Sequence, residues 1–324
     1  MNQTIIQSGP ALIALVASHL QEAARLKKIP LLVVLGPTAS GKTALGIALA
    51  ECFNGEIVSA DSRQIYHDLP IGTAQPSSAE MKEVKHHLID FIAPDQEFNL
   101  AEFQKLARQY IEQIVQRKHL PLLVGGTGLY ISAITQNYRL PAGKPDLRLR
   151  KRLEKMASEK GKEAVYQILE QLDPQAARSV SPQNLRYVIR AIEIAGQAGD
   201  KTPKQEKFSL YHCLYLTIDW PRDLLYRRIE QRIDRQLAAG LIDETKYLLE
   251  HYNENLPALS SLGYREIGQY LHGKMGLEES VKLFKKNTRN YAKRQLTWFR
   301  KFTQVYSISG TDLNQIIQEV ERQK

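Results

Sequence analysis

Cysteine is scarce in this chain, where only Cys52 and Cys213 occur among 324 residues. Two cysteines so far apart cannot build a four-thiolate zinc site, and they do not form the spaced pattern of a disulfide framework. Such usage is typical of a protein kept under reducing conditions, so we expect a cytoplasmic location.

A long apolar run is also missing. The longest candidate, residues 11–20, is shorter than the roughly 20 residues of a membrane-spanning helix and is followed by charged residues. No lysine or arginine precedes it, so it lacks the positive region of a signal peptide. We expect no membrane association, and we predict an amphipathic helix over residues 12–27, within an N-terminal extension over residues 1–29.

Acidic residues are outnumbered by basic ones, 35 to 44, which gives a net charge of +9. This excess favours an anionic partner, but charge alone does not single out nucleic acid. A length of 324 residues allows two domains, or one domain with a large insertion.

One glycine-rich stretch has the pattern and the context of a P-loop. An apolar run over residues 30–35 predicts a buried strand before it, and residues 44–50 predict a helix after it. The loop N–H groups and the helix N-terminus favour phosphate, Lys42 adds a point charge, and the Thr43 hydroxyl can hold Mg²⁺ on the phosphates. The stretch consists of Gly36, Pro37, Thr38, Ala39, Ser40, Gly41, Lys42 and Thr43.

The usual partners of a hydrolytic P-loop are absent from the sequence. The strand predicted over residues 120–124 runs into Gly125 and Gly126 instead of a Walker-B carboxylate, and no Asn-Lys-x-Asp motif reads guanine. The glycines would let the backbone approach a ligand, and Thr127 would offer a hydroxyl. A tight strand-to-helix turn is the alternative, but that turn does not need Thr127.

Asp61 follows the strand predicted over residues 56–60, at the rim where open α/β sheets bind ligands. A helix N-cap explains this aspartate equally well from its position alone. His86 and His87 suggest a metal site, but adjacent residues point to different sides of a strand, which favours structural roles for both.

Residues 138–210 lack strand-like runs and are rich in charge. Asp173 and Ser181 each precede a proline and are predicted helix N-caps. A basic cluster over residues 148–155 indicates a helical insertion that carries positive charge over the ligand rim, although a solvated charged face is the alternative.

The C-terminal part is predicted to be mainly helical. Residues 222–249 form one long helical stretch with an apolar seam. Residues 285–301 carry basic side chains interleaved with aromatic ones, a pattern that suits a phosphate backbone, although aromatics packed inward are the alternative. We expect the termini, residues 1–10 and 311–324, to be loosely attached.

Taken together, these features predict an α/β fold. A P-loop NTPase-like parallel sheet flanked by helices would comprise residues 30–137 and 211–310, the latter including the C-terminal helices. Residues 138–210 would form an inserted all-helical domain.

The same features resemble the bacterial type of tRNA dimethylallyltransferase, the tRNA isopentenyltransferases of the IPP transferase family. The matching motifs appear in family order. They are residues 36–43, 61–66, 71–74, 86–90, 123–130, 190–193, 263–266 and 292–298. Two departures are the long segment 1–29 and the absence of the zinc finger that eukaryotic members append.

The resemblance implies transfer of a dimethylallyl group from dimethylallyl diphosphate to N6 of adenosine-37, in tRNAs that read codons beginning with U. The P-loop, with Mg²⁺ on Thr43, would then hold the diphosphate of the donor. Asp61 would be the general base, with Lys42, Thr127 and Arg148 as further catalytic residues. The implied tRNA-binding residues are Asp61, Ser62, Arg63, Gln64, Thr127, Arg148, Arg186, Arg190, Gly263, Tyr264 and Arg265, while Tyr187 stands where the family more often has arginine.

The implied partners are the anticodon stem-loop of tRNA and dimethylallyl diphosphate, without an obligate protein partner, and a monomer is the family default. Two other functions compete with this one. A P-loop small-molecule kinase would use the insertion as a lid, but the missing Walker-B carboxylate disfavours it. A non-enzymatic RNA-binding protein would leave Lys42, Thr43 and Asp61 without a purpose.

Overall fold

The computed structural model describes residues 4–138, 140, 146–196 and 210–323. The chain divides into two compact units, Met1–Asn137 with Phe208–Lys324, and Tyr138–Lys207. Within the described ranges, no helix is long and apolar enough to cross a membrane.

The first unit is built on a parallel sheet. Its strands are β1 (Thr4–Ile6), β2 (Ile29–Leu35), β3 (Gly55–Ser59), β4 (His86–His87), β5 (Leu120–Gly125), β6 (Tyr211–Asp219) and β7 (Val305–Ser309). Among the described residues they form one seven-stranded sheet in the order β1-β7-β6-β2-β5-β3-β4, with every pairing parallel. The predicted α/β fold with a parallel sheet is thereby confirmed.

Helices cover both faces of this sheet, and others extend beyond it. Those before the second unit are α1 (Gly9–Arg25), α2 (Lys42–Cys52), α3 (Pro70–Thr73), α4 (Ser78–Glu83), α5 (Leu100–Gln116) and α6 (Gly128–Thr135). The second unit contains α7 (Leu147–Lys160), α8 (Lys162–Leu172), α9 (Pro174–Ala177) and α10 (Leu185–Gly196). The first unit then continues with α11 (Arg222–Ala238), α12 (Leu241–His251), α13 (Tyr264–Leu271), α14 (Leu277–Phe299) and α15 (Leu313–Glu321).

Strand β2 lies at the centre of the sheet because its residues are apolar on both faces. Leu31 to Leu35 are at most 1 % exposed, since alternate side chains enter the two hydrophobic cores on opposite sides. Its neighbours are β5 on one side and β6 on the other. The loop after β2 therefore emerges at the carboxyl edge between two strands that belong to distant parts of the chain, where open α/β sheets bind ligands.

The expectation of loosely attached termini is wrong for residues 4–10 and 311–323. Strand β1 pairs with β7, and Gly9 N–H donates to the Glu319 carboxylate at 2.6 Å. Leu12 of α1 and Ile316 of α15 are at most 1 % exposed. A strand of three residues and a short amphipathic helix gain their stability from tertiary packing, which local sequence patterns do not reveal.

Two helix boundaries also differ from the prediction. The stretch 222–249 breaks into α11 and α12 at Gly240, whose φ of +102° is a left-handed conformation that ends a helix. Ser181 is not an N-cap: its carbonyl accepts the Asn184 N–H at 2.9 Å in a turn, and α10 starts at Leu185. Asp173 is the N-cap of α9 as predicted, with its carboxylate accepting from Ala176 N–H at 2.9 Å.

The second unit has its own apolar core, in which Leu153, Val165 and Val188 are at most 1 % exposed. Its buried carboxylate, Glu193, accepts hydrogen bonds from Arg150 at 2.6 Å and from Arg190 at 3.0 Å. Burial opposes ionisation of this carboxyl, but the two guanidinium groups hold its pKa below the usual value. The ion pair between Arg150 and Glu193 connects α7 to α10.

Candidate active site

A cavity of about 460 Å³ lies in the first unit, where several loops and helices converge. The P-loop contributes Thr38, Lys42 and Thr43, and the loop after β3 contributes residues 61–64. The remaining wall comes from residues 72–74, from α11, from the segment 260–265 and from α14. The cavity thus brings together several motifs that are far apart in the sequence.

The P-loop has the strand, turn and helix that its sequence predicts. Gly41, with φ of +98°, ends the loop, and Ala39 also has a positive φ, of +63°. A Cβ atom at Gly36 would lie 2.8 Å from Ser40 Oγ, so a side chain there would displace this hydroxyl. These features curl the backbone around the N-terminus of α2, the arrangement that favours phosphate.

Two side chains hold the outer carbonyl groups of this loop. Arg228 Nε donates to Ala39 O at 2.9 Å, and Trp220 Nε1 donates to Ser40 O at 2.8 Å. The Arg228 guanidinium also lies over the Trp220 ring, 4.2 Å from its centroid. The two residues therefore stabilise each other as well as the loop.

This arrangement predicts a specific effect of Trp220→Phe. The phenylalanine keeps a ring beneath Arg228 but loses the N–H to Ser40, so the P-loop should hold a diphosphate less well. We expect the Kd for inorganic diphosphate to rise about fivefold, as for the loss of one hydrogen bond. Trp298→Phe is the matched control, because the other tryptophan donates to Ser132 and not to the P-loop. Equal Kd values for the two variants would contradict the prediction.

Two half-buried cations line the cavity next to one carboxylate. Burial lowers the pKa of Lys42 to about 8, the Asp61 charge opposes this shift, and the nearby Arg232 adds to it. Arg232 donates to Thr73 O at 3.3 Å. Two cations crowded in this way indicate a site for a multiply charged anion, which would relieve their repulsion.

Asp61 lies in the cavity wall directly after β3. Its Oδ1 accepts the Arg63 N–H at 2.9 Å in a local turn, and no helix follows, so the alternative of a helix N-cap is wrong. Its Oδ2 has no hydrogen-bond partner among the residues that the structure describes. One carboxylate oxygen is thus fixed, and the other is left for a ligand.

Thr127 occupies the N-cap position of α6, beside the cavity rather than in its lining. Its Oγ1 accepts the Ser62 N–H at 3.1 Å, and the Tyr291 phenol of α14 lies near it. Burial raises the pKa of Tyr291 to about 12, so this phenol keeps its proton. Thr127 therefore holds the loop that carries Asp61, and its predicted catalytic role stays a prediction.

The other predicted tRNA-binding residues of this unit differ in exposure. Ser62, Arg63, Gln64 and Arg265 line the cavity. Tyr264 is 2 % exposed, and its phenol donates to Glu244 at 2.6 Å and accepts the Gly72 N–H at 3.1 Å. The structure gives this phenol an internal role, and Gly263 beside it is also buried. A contact of either residue with tRNA stays a prediction.

The remaining predicted residues belong to the second unit. Arg148 and Arg186 are exposed there, whereas Arg190 is half-buried in its ion pair with Glu193. Tyr187 beside them is 58 % exposed. The roles predicted for these arginines are untested by this geometry.

The two adjacent histidines have structural partners, as predicted. His87 Nε2 lies 2.7 Å from the buried Glu56 carboxylate, and His86 Nδ1 lies 2.7 Å from the Val84 carbonyl oxygen. Glu56 is also bound by Arg117. In the described part of the chain, no group of three or more His, Cys, Asp or Glu side chains could hold a metal ion.

The basic stretch 285–301 forms most of α14, and only some of its charges are free to meet an anion. Lys285 lies 2.6 Å from the Asp234 carboxylate, and Arg289 lies 2.5 Å from that of Glu230, so acidic residues of α11 neutralise both. Lys293 and Arg300 are exposed. The aromatic residues pack inward or half-inward, so both interpretations of this stretch hold in part.

Comparison with known proteins agrees with this arrangement. The sequence model of a family described as IPP transferase matches residues 64–302. The tRNA dimethylallyltransferase of Roseiflexus sp. (strain RS-1) is 44 % identical over 300 residues, which cover 91 % of this chain and 98 % of that protein. The protein of that name from Halothermothrix orenii is also 44 % identical over 300 residues, 90 % of this chain and 92 % of that protein.

Solved structures give the same result. The tRNA isopentenylpyrophosphate transferase of Bacillus halodurans is similar with a TM-score of 0.67 and 38 % identity, over 91 % of this chain and 98 % of that one. A eukaryotic dimethylallyltransferase, solved acting on tRNA, is similar with a TM-score of 0.76 and 28 % identity, over 89 % of this chain and 75 % of that one.

Proposed function

The chain belongs to the IPP transferase family and is an enzyme of the tRNA dimethylallyltransferase type, and from this premise we propose its reaction. It transfers a dimethylallyl group from dimethylallyl diphosphate to N6 of adenosine-37, in tRNAs that read codons beginning with U. The observation that carries this proposal is that the P-loop residues Lys42 and Thr43 line the same cavity as Asp61.

The donor diphosphate occupies the P-loop. When the carbon–oxygen bond breaks, negative charge grows on the departing diphosphate, and a preorganised cationic site stabilises that charge in the transition state. Lys42 and the N-terminus of α2 supply it, and Arg232 adds a second cation that the sequence analysis did not single out. The glycine end of β5 suits this reaction, because no water needs activation beside a γ-phosphate.

Mg²⁺ fits the donor set of this site only together with the diphosphate. The Thr43 hydroxyl lines the cavity without a hydrogen-bond partner in the described residues, and the Asp61 carboxylate lies in the same wall. The protein thus offers Mg²⁺ one hydroxyl and at most one carboxylate. So few protein ligands suffice when substrate phosphates and water complete the coordination shell. Bound there, the ion would neutralise charge on the diphosphate.

The acceptor is an adenine amine, a weak nucleophile because its lone pair is delocalised into the ring. Asp61 accepts the proton that the amine loses as the new carbon–nitrogen bond forms, and Oδ2 is the oxygen available for it. The bond between the dimethylallyl carbon and the diphosphate oxygen of the donor breaks, and diphosphate leaves. The target base has to leave the anticodon-loop stack to enter the cavity, which costs least for single-stranded loop bases.

The RNA partner is the anticodon stem-loop. In this proposal, cavity residues 62–64 and Arg265 contact the nucleotides near the target, and the exposed arginines Arg148 and Arg186 of the second unit contact the phosphate backbone. The protein works in the cytoplasm as a monomer, without an obligate protein partner.

Nucleoside analysis tests the function directly. The purified protein is incubated with unmodified tRNA, dimethylallyl diphosphate and Mg²⁺, and the digested nucleosides are analysed by mass spectrometry. With individual tRNAs, we expect N6-dimethylallyladenosine only in those reading codons that begin with U, and the added mass should lie in the RNase T1 fragment that contains position 37. A parallel incubation with ATP and no prenyl donor should yield no phosphorylated product, and the opposite pattern would favour a kinase.

The exposed cations of α14 give a prediction for tRNA binding. Lys293 and Arg300 are seven residues apart and therefore lie on one face of the helix. The double variant Lys293→Glu/Arg300→Glu should weaken tRNA binding and reduce the slope of log K against log salt by about 2, one for each lost phosphate contact. Lys282→Glu is the control on the same helix, because Lys282 already pairs with Glu278. An unchanged slope in the double variant would exclude this face from the interface.

A further inference from the structure

Gln295 of α14 bridges two loops of the cavity wall through its side-chain amide. The residue is 6 % exposed. Its Oε1 accepts the Thr38 N–H of the P-loop at 2.9 Å, and its Nε2 donates to Gly126 O, in the loop after β5, also at 2.9 Å. Both ends of this amide are therefore used, each on a different loop.

The bridge is tight enough to require glycine opposite it. A Cβ atom on Gly126 would lie 2.5 Å from Gln295 Nε2, so a larger residue would push the amide away. Strands β2 and β5 are neighbours in which Leu35 lies opposite Gly125. The amide thus fixes the distance between two loops just beyond the ends of these strands.

The loop after β5, which Gln295 holds, is itself bonded to the loop of Asp61. Thr127 Oγ1 accepts the Ser62 N–H at 3.1 Å, and the Thr127 N–H donates to Ala60 O at 3.0 Å. Gln295 therefore links the P-loop to the loop of Asp61 through the loop after β5. Moreover, the Thr38 N–H points to Gln295 and is not free to bind a phosphate.

We propose that Gln295 is a positioning residue of the prenyl transfer, an inference that rests on the proposed function. Its amide holds the loop that binds the departing diphosphate at a set distance from the loops that carry Thr127 and Asp61. Alignment of donor carbon, acceptor nitrogen and base determines the rate of such a displacement, and small misplacements are costly. Gln295 acts on kcat through the two loops, without contact with the reacting atoms.

The test uses the full-length protein and two variants. Gln295→Met keeps the volume and loses both hydrogen bonds, and Gln295→Glu can still accept from Thr38 but sets a carboxylate against the Gly126 carbonyl. We expect kcat for dimethylallyl transfer to fall about 10- to 100-fold in both. In Gln295→Met the Kd for inorganic diphosphate should rise no more than about fivefold, as for the loss of one hydrogen bond to the P-loop, and the Kd for tRNA should stay unchanged.

Gln104→Met is the matched control. Gln104 is also a buried glutamine, 8 % exposed, and it donates to Ala133 O at 2.7 Å, away from the cavity. This variant should lose thermal stability to a degree similar to Gln295→Met and retain kcat. A wild-type protein without transfer activity would refute the proposed function itself. An active wild type with undiminished kcat in Gln295→Met, or with an equal loss in Gln104→Met, would overturn the inference about Gln295.

Discussion

Replacing Asp61 by asparagine should lower kcat for prenyl transfer by about 10²- to 10⁴-fold, the range for loss of a general base. Asparagine keeps an oxygen that can accept the Arg63 N–H, so the turn after β3 should persist. What the variant loses is the ability to take a proton from the adenine amine. Single-turnover measurements with saturating tRNA and donor would isolate this step.

The change in the KM for the donor distinguishes a general-base role of Asp61 from a role of its charge in binding the donor. Asp61 lies close to Lys42 and Arg232, so removing its charge leaves those cations less neutralised, and the KM for the diphosphate donor should stay equal or fall. Asp68→Asn is the control, because Asp68 is exposed at a positive φ of +64° that asparagine tolerates. A near-normal single-turnover rate in Asp61→Asn, or a raised KM with normal kcat, would sink the assignment.

The P-loop could be predicted from sequence because its determinants are local. A buried strand, glycines at fixed offsets, and Lys42 with Thr43 at a helix start follow each other within about a dozen residues, and together they determine the loop conformation.

The position of Asp61 could be predicted from the sequence, but its hydrogen bonding could not. Its position after β3 puts it at the ligand edge, whereas the Asx-type turn that replaces an N-cap depends on the chain that follows.

Arg232 and Gln295 are two residues of the site that could not be predicted from the sequence. Arg232 is one of several arginines on α11, and nothing in the helical pattern distinguishes the one that enters the cavity from those that face solvent. Gln295 lies within a basic, aromatic stretch whose charges suggest RNA binding, and the sequence gives no sign of a separate role for this glutamine. Its role depends on a close approach between α14 and Gly126, which are 169 positions apart in the chain.

The termini were mispredicted for a related reason. Short segments such as residues 4–6 and 313–321 are too small to be stable on their own, and their structure comes from the sheet edge and core they cover. Conversely, Lys285 and Arg289 look available to RNA in the sequence and are neutralised by α11 in the fold. Tertiary neighbours thus decide which basic residues of α14 can contribute to binding.

Replacing Lys42 by methionine should reduce kcat/KM for the donor by about 10²- to 10³-fold, comparable to removing one preorganised donor at a developing charge. The same change should raise the free energy of unfolding of the ligand-free protein at pH 7. Burial lowers the pKa of Lys42 to about 8, so the charged amine destabilises the folded state relative to the unfolded chain. This destabilisation is complete below about pH 8. A gain in thermal stability together with a loss of activity would show that charge was kept here for function, while a destabilised variant would contradict this.

The pH dependence provides the second measurement on Lys42. In the ligand-free protein this amine is charged below about pH 8 and neutral above it, so kcat/KM for the donor should decline by up to tenfold per pH unit once the pH passes that value. Bound diphosphate favours the charged form, so kcat at saturating donor should stay flat over the same range. In Lys42→Arg the decline should disappear, since a guanidinium stays protonated throughout, even though its fork fits the loop less well and lowers the plateau. If Lys42→Arg kept the wild-type decline, another group would be titrating, and Lys42 would not be the cation that receives the departing diphosphate.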